Sequence, residues 1–471
     1  MRASVEQDNT YDVAVIGSGP GGYVAAIRAG QLGLKTVVVE KDDVLGGTCL
    51  HVGCIPTKAL LYTAELLDTL KHASDFGLVV EGYRLDWAAL QKRKDRVVRR
   101  LTAGVSFLFK KNKVETVHGF GTLAGPGKVD VKSDEGVATI RARHVIVATG
   151  SVPRALPGIG IDGHLVLTSD EILSLPKQPE SLAIIGAGAV GAEFASMFAS
   201  FGTKVTLIEM LPRLLPIEDE EISETLAKAF KKRDIETLTG TRVESVKKEG
   251  DGVTITFTTP DGETGSRTVE KLLIAVGRKP RTEGIGLETL GIETEKDFVP
   301  VNGFMETSAP NVFAIGDIVP SQQLAHVGSA EGILAVEKIA GRDVTPMNYE
   351  HMPSCTYSSP EVGSVGLSEA VAKERGYDVK VGRFPFSANS KASILEKREG
   401  FVKIVSEGKY DELLGVHIIG PHATDLIAEA VVALEHEATA QSLMRTIHAH
   451  PTLSESVMEA AHAAGDKPIH V

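Results

Sequence analysis

Two of the three cysteines in this 471-residue chain, Cys49 and Cys54, stand in a CxxxxC spacing within the stretch LGGTCLHVGCIPTKAL. So close a pair in a chain so poor in cysteine points to a redox-active dithiol. The glycines before it let the backbone turn tightly, and Pro56 suits the first turn of a following helix. A helix N-terminus favours thiolates, and the thiolate is the nucleophile of thiol–disulfide exchange. The plainer alternative, two small buried hydrophobes, is the weaker reading even without their neighbours. A second candidate lies near the C-terminus, in His448-Ala-His450-Pro451 followed by Glu455. A histidine five residues before a glutamate, across a proline turn, could be a general base oriented by a carboxylate. A surface histidine beside a helix-starting glutamate is the plainer alternative. The HxH lacks the further clustered ligands of a metal site, so no metal is expected. Cys355 stands alone and reads as a buried structural thiol.

Such groups need a scaffold. Residues 11–16 (YDVAVI) read as a short strand, followed by Gly17, Gly19 and Gly22 in GSGPGG, a helical pattern, and a second strand TVVVE ending in Glu40. Strand, GxGxxG, helix, strand and acid form the dinucleotide fingerprint in its proper context. The glycines admit a pyrophosphate to the helix N-terminus, and Glu40 can accept from an adenosine ribose. The device recurs at LAII, then Gly186, Gly188 and Gly191, a helix, and KVTLIE ending in Glu209. From first glycine to acid the spacing is the same in both copies. Two nucleotide domains are therefore expected, with a flavin plus a nicotinamide as the natural pair. Glu209 should accept from the ribose hydroxyls of NAD and repel a 2′-phosphate, with Arg213 read as a surface residue.

The rest of the chain fills in around these copies. A helical segment is expected over roughly 57–112, with basic residues from Lys92 to Arg100 and at Lys110, Lys111 and Lys113, read as a solvated face. Residues 114–147 alternate as strands do and open into Thr149-Gly150-Ser151, echoed in the second copy by LLIAVGRKP around Gly277. NVFAIGDI is a further buried strand ending in Gly316-Asp317, where an acid faces the ligand crevice or caps the next helix. The following helix begins near Leu324, Ala325 and His326, where its N-terminus could face a flavin ring. From about 350 short alternating strands mix with helices, as in an α+β interface domain. The domains expected are 1–155 and 156–280 for the two nucleotides, 281–350 completing the first site, and 351–471.

The net charge of −12 argues against a nucleic-acid partner. Three cysteines make no structural disulfide framework. The start shows no signal-peptide core, and the apolar run Leu182–Gly202 carries Glu193 and suits a strand plus a helix better than a membrane span. A cytoplasmic protein without a membrane partner is expected.

GSGPGGYVAAIRAGQLGLKTVVVEK, LGGTCLHVGCIPTKALL, ATGS, AIGDI, LAH…EG and HAHPTLSE stand in an order that resembles the dihydrolipoyl dehydrogenases, among the flavin disulfide oxidoreductases. The resemblance covers nearly the whole chain. It implies an α/β fold with two Rossmann-like dinucleotide-binding domains, for FAD and then NAD, plus a C-terminal α+β dimerisation domain. It places Cys54 beside the flavin and Cys49 outward, exchanging with lipoamide. Lys58 and Glu193 match the family's ion pair near the flavin, and His450 and Glu455 serve the partner subunit's disulfide in a homodimer. Lys41 and Thr48 join Glu40, Lys58 and the glycine motifs as cofactor contacts. The substrate implied is dihydrolipoamide on lipoyl domains of 2-oxo-acid dehydrogenase or glycine cleavage complexes. Thr57, Glu209 and a tail without cysteines separate the chain from glutathione, mercuric and large thioredoxin reductases. A structural subunit of an acyl-transfer complex is the competing class. Three positions depart from the pattern: His51 and Arg281 each replace an Asn, and Thr57 replaces a Ser. A protonated His51 would stabilise a nearby thiolate.

Overall fold

The computed structural model describes residues 10–471. The chain forms two compact units: one from the residues up to Thr57 with Lys92–Pro153 and Arg278–Tyr349, the other from Lys58–Gln91, Arg154–Gly277 and Glu350–Val471.

In the first unit β1 (Tyr11–Ile16) lies between β2 (Thr36–Glu40) and the strand Gly136–Val147, all parallel, with Val15 opposite both Val38 and Ile146. Strands at Glu115–His118 and Val312–Ala314 extend this sheet in the same sense. β1 and β2, buried on both faces, read as near-continuous Val and Ile. The helix α1 (Pro20–Gln31) packs on the sheet and against the helix Ala325–Ile339. Glycines permit that second contact, since a Cβ on Gly332 would stand 2.6 Å from the Gly21 carbonyl oxygen.

The second unit repeats the plan. Its parallel sheet runs Glu236–Leu238, Lys204–Ile208, Ser181–Ile185, Lys271–Ile274 and Val166–Leu167, with the buried helix Ala189–Phe201 beside it. Beyond residue 350 a five-stranded antiparallel sheet takes over, its central strands Leu413–Gly420 and Phe401–Glu407 covered by the helices Ala423–Glu435 and Glu455–Gly465. The α/β fold with two Rossmann-like halves and a terminal α+β part is the one the sequence led us to expect.

The helical segment expected over 57–112 is interrupted. A short helix α2 (Gly47–His51) precedes α3 (Cys54–Lys71), and α4 runs over Trp87–Lys111. A 3-10 turn at Ala73–Phe76 is stopped by Gly77 at φ 71°, a left-handed cap. Helix resumes where Asp86 Oδ1 accepts from the Ala89 amide at 2.9 Å. No helix among the described residues is long and apolar enough to cross a membrane.

Candidate functional site

In the first unit β1 delivers the chain to Gly17, and α1 starts after Gly19, which receives no side-chain cap. The first amides of α1 are thus left for a ligand. A Cβ on Gly19 would meet open space, whereas one on Gly22 would strike the Gly17 carbonyl oxygen. The first glycine therefore clears a path and the second lets helix and loop touch. Glu40, nearly buried, accepts through Oε2 from the Ser18 amide at 2.9 Å and its hydroxyl at 2.5 Å, and through Oε1 from the Asp42 amide at 2.9 Å. It pins the loop, and Oε1 keeps capacity for a ribose hydroxyl. Lys41 pairs with Asp42 at 2.6 Å.

The thiol loop belongs to the same unit. Thr48 and Cys49 sit in α2, and Cys54 is the first residue of α3, with Pro56 in its first turn. Both cysteines are half-buried. Cys49 packs on the core cluster that holds Leu50, Val105 and Phe109. His51 Nε2 lies 2.9 Å from the Leu45 carbonyl oxygen, bracing the loop. Thr57 donates its hydroxyl to the Gly53 carbonyl at 2.7 Å, a bond the family's serine could equally make. Tyr23 on α1 was not foreseen; burial raises its phenol above the ordinary value, and the charges of Cys49 and Cys54 add to the shift.

A third group closes this unit. Ser151 donates to Asp317 Oδ2, while Arg278 donates through Nε to Ser151 Oγ at 2.6 Å and stands 3.8 Å from Asp317. Strands Ser151–Pro153 and Arg278–Pro280 pair antiparallel. Thr149 Oγ1 donates to the Arg281 carbonyl at 2.7 Å, and the Arg281 amide to the Gly150 carbonyl at 2.8 Å. Only the backbone of Arg281 is used there, so replacing Asn alters neither bond. Gly316 donates its amide to Glu331 Oε2 at 2.6 Å, and Tyr349 its hydroxyl to Oε1 at 3.0 Å. Glu331, fully buried on the helix Ala325–Ile339, has a carboxyl raised by burial against those hydrogen bonds. Leu324 caps that helix, and Ala325 and His326 open it.

In the second unit Gly188 is again an uncapped helix start with open space where a Cβ would be, and a Cβ on Gly191 would strike Gly186 O. Glu209 accepts from the Ala187 amide at 2.7 Å and the Leu211 amide at 2.8 Å. This matches the Ser18 and Asp42 bonds of Glu40 amide for amide. Arg213 is turned to the Pro216 carbonyl at 3.2 Å and Glu220 at 4.0 Å. Gly277 accepts from the Arg154 amide at 3.0 Å. Both cradles thus fit a dinucleotide pyrophosphate with an acid beside it.

The second unit also holds the charged pairs. Lys58 Nζ donates to both oxygens of Glu193 at 2.8 Å, and the Tyr357 amide donates to Glu193 Oε1 at 3.0 Å. The ammonium lies 4.5 Å from the Tyr357 ring centre. Burial first, then neighbouring Cys355 and Glu193, pushes the Tyr357 phenol up to about 12. Cys355, expected to be buried, is a half-buried free thiol, pushed up to about 11 first by burial. His450 Nδ1 meets Glu455 Oε1 at 2.8 Å, and the Thr452 amide donates to Glu455 Oε2 at 2.7 Å. The His450 side chain is 69% exposed. His448 points elsewhere, with Nε2 on Glu429 at 2.6 Å and Nδ1 on the Thr446 carbonyl at 2.9 Å. Among the described residues no group of three or more such side chains is placed to hold a metal ion.

Two dinucleotide cradles and a dithiol loop define a class: an oxidoreductase that couples a thiol pair to a nicotinamide through a flavin. Residues 11–332 match the family model "pyridine nucleotide-disulphide oxidoreductase", and residues 352–461 match its dimerisation domain. The chain is 48% identical to the dihydrolipoyl dehydrogenase of Bacillus subtilis, over 98% of this chain and 99% of that protein. It is 45% identical to that of Rhizobium etli, over 96% and 97%. The crystal structure of LpdA from Mycobacterium tuberculosis superposes with a TM-score of 0.88 at 28% identity, covering 96% of this chain and 99% of the other. The chain belongs to the pyridine nucleotide-disulphide oxidoreductases. It is a flavoprotein enzyme using FAD and NAD, and its dimerisation domain makes it a homodimer.

Proposed function

We propose that this enzyme oxidises dihydrolipoamide to lipoamide and delivers the electrons to NAD, as a dihydrolipoyl dehydrogenase. The observation that carries the reading is the pairing of a dithiol at a helix start with two acid-pinned cradles. Under this reading residues 1–155 and 281–350 hold FAD, 156–280 hold NAD, and 351–471 form the dimer. FAD, when bound, supplies the two-electron relay between a dithiol and a nicotinamide. Gly17, Gly19 and Gly22 admit its pyrophosphate, Glu40 its ribose, and Asp317, already aimed by Ser151 and Arg278, a flavin hydroxyl. Glu209, with Arg213 engaged elsewhere, favours NAD over its 2′-phosphorylated form.

The protein's own chemistry is thiol–disulfide exchange. His450, oriented by Glu455, takes the proton of the first substrate thiol. The resulting thiolate attacks Cys49 Sγ of a Cys49–Cys54 disulfide, and Cys54 leaves as thiolate. The second substrate thiol then attacks the substrate sulfur of that mixed disulfide. Lipoamide closes and Cys49 leaves as a thiol, taking up the proton of the second substrate thiol, so the enzyme dithiol is reduced by the two electrons lost by the substrate. His450 and Glu455 act on the partner subunit's dithiol. The substrate is a lipoyl group on a carrier domain of a 2-oxo-acid dehydrogenase or glycine cleavage complex. Sparse cysteine usage supports a cytoplasmic, reducing setting.

The test is NAD reduction by dihydrolipoamide, run beside NADPH with oxidised glutathione. Turnover with the first pair alone, abolished in Cys49→Ser, is expected. Turnover only with the second would overturn the assignment.

A further inference from the structure

On α4 the residues Lys92, Arg96, Arg99, Arg100, Lys110 and Lys111 are all exposed. Their spacing puts them on one stripe of the helix, with Phe107, 65% exposed, on the same side. The opposite side is buried: Val105 and Phe109 belong to the core cluster that includes Leu50 and carries Cys49 and Ile55 at its edge. One face of α4 therefore rests on the same piece of core as the dithiol loop, within one compact unit.

Two features set the stripe apart from an ordinary solvated face. Residues 92–113 contain nine Lys or Arg against one acid, Asp95, in a chain of net charge −12. None of the six cations has an ion pair among the described residues. Like charges four apart, as at Lys92 and Arg96 or Arg96 and Arg100, destabilise a helix. Acidic residues at those positions would have relieved the repulsion and suited the rest of the surface. The stripe keeps a cost that folding alone does not require.

We propose that this stripe docks an acidic carrier domain whose dithiol-bearing arm reaches Cys49. The proposal rests on the dihydrolipoamide reading above and names the surface of the carrier that the reading leaves open. An acidic carrier is repelled by most of this protein and attracted by one helix, so the field orients it before contact. Phe107 supplies an apolar anchor inside the charged rim. A free dihydrolipoamide molecule has no charge for the stripe to read.

The experiment uses the FAD-loaded dimer and its triple variant Arg96→Glu/Arg99→Glu/Arg100→Glu. Each is assayed with free dihydrolipoamide and with an isolated reduced lipoyl domain of net negative charge. The expected result is a KM for the lipoyl domain raised about tenfold or more, with kcat held. Both constants for free dihydrolipoamide should be unchanged. Added salt should weaken the lipoyl-domain reaction of the parent and barely alter that of the variant. If the triple variant fails to fold, Lys110→Gln/Lys111→Gln should raise the same KM by a smaller factor. An unmoved carrier KM, or equal losses with both substrates, would overturn the proposal while leaving the activity assignment standing. Absence of free-dihydrolipoamide turnover in the parent would instead remove the activity assignment. Calorimetric titration of the lipoyl domain onto parent and variant would still test the docking. Tight binding of a short nucleic-acid duplex with an unmoved carrier KM would assign the stripe to another partner and overturn it.

Discussion

Lys58 Nζ lies 2.8 Å from each carboxylate oxygen of Glu193, so one ammonium satisfies both oxygens of an acid that is 5% exposed. The Tyr357 amide and ring complete the enclosure. Removing the cation strands a nearly buried carboxylate, a change that costs about 3–5 kcal/mol where no partner replaces it. Lys58→Met should therefore lower both the unfolding midpoint and kcat. Lys58→Met/Glu193→Leu should recover much of the stability and none of the rate. Thermal unfolding and steady-state assays of the two variants separate these effects; equal rates in all three proteins would deny the pair a part in turnover.

His450 and Glu455 are tied in a geometry that fixes one ring nitrogen and leaves the other for a substrate proton. Burial pushes the Glu455 carboxyl up, but the Thr452 amide and His450 outweigh it and hold the group below its ordinary value. It stays ionised across the range of about pH 5 to 8 in which histidines act. Glu455→Gln should then slow the reaction at every pH in that window, without a new acid limb. His450→Gln should cost about 10²- to 10⁴-fold in kcat, the usual yield of a positioned base. Rate profiles of both variants with dihydrolipoamide are the check. A His450→Gln enzyme running at full speed would remove the histidine from the mechanism.

The parts legible in the sequence were those whose partners are close in the chain or whose pattern repeats. The two glycine loops, their acids, the Cys49–Cys54 pair and the apolar strands all announce themselves by local spacing. Their second roles were not visible. Glu40 and Glu209 looked like ribose acceptors, yet each also ties down its own glycine loop through two amides. Arg281 looked like a departure, yet its bonds with Thr149 and Gly150 are made by its backbone. Glu331 passed unremarked inside LAH…EG, because its partners, Gly316 and Tyr349, lie on other elements. Glu193 was marked by being the one charge in its helix, whereas the helix of Glu331 also carries Glu337 and Lys338 and gave no such signal.

Glu331 supports the Gly316–Asp317 turn from beneath. Its bond to the half-buried Gly316 amide would be lost in Glu331→Leu, at a cost of up to about 1–3 kcal/mol. Glu331→Gln keeps an acceptor for that amide. FAD retention, followed by flavin fluorescence on mild heating or dilution, should fall about tenfold for the leucine variant and little for glutamine. Equal retention would show that the turn holds its shape without the bond.

Lys403 is 2% exposed and donates to Asp219 at 3.0 Å and Glu221 at 2.6 Å, with Glu369 at 2.8 Å. Burial opposes its charge, but the three acids outweigh burial and raise its pKa. Lys373 first, then Lys403, brings Glu369 down to about 2 from an ordinary 4.5. A carboxyl depressed in the folded state stabilises the fold above its unfolded value, and that support fades as pH falls from about 4.5 toward about 2. Lys403→Met leaves Asp219 buried without its cation and should cost about 3–5 kcal/mol near neutrality. Acid then works in opposite directions on the two proteins. Protonation removes a favourable pairing from the parent but relieves carboxylate repulsion in the variant. The gap between their unfolding midpoints should be widest near pH 7 and narrow toward pH 4. A gap independent of pH would mean that Lys403 contributes by filling space, with the charge of the acids already balanced by Arg383, which donates to Glu221 at 2.7 Å.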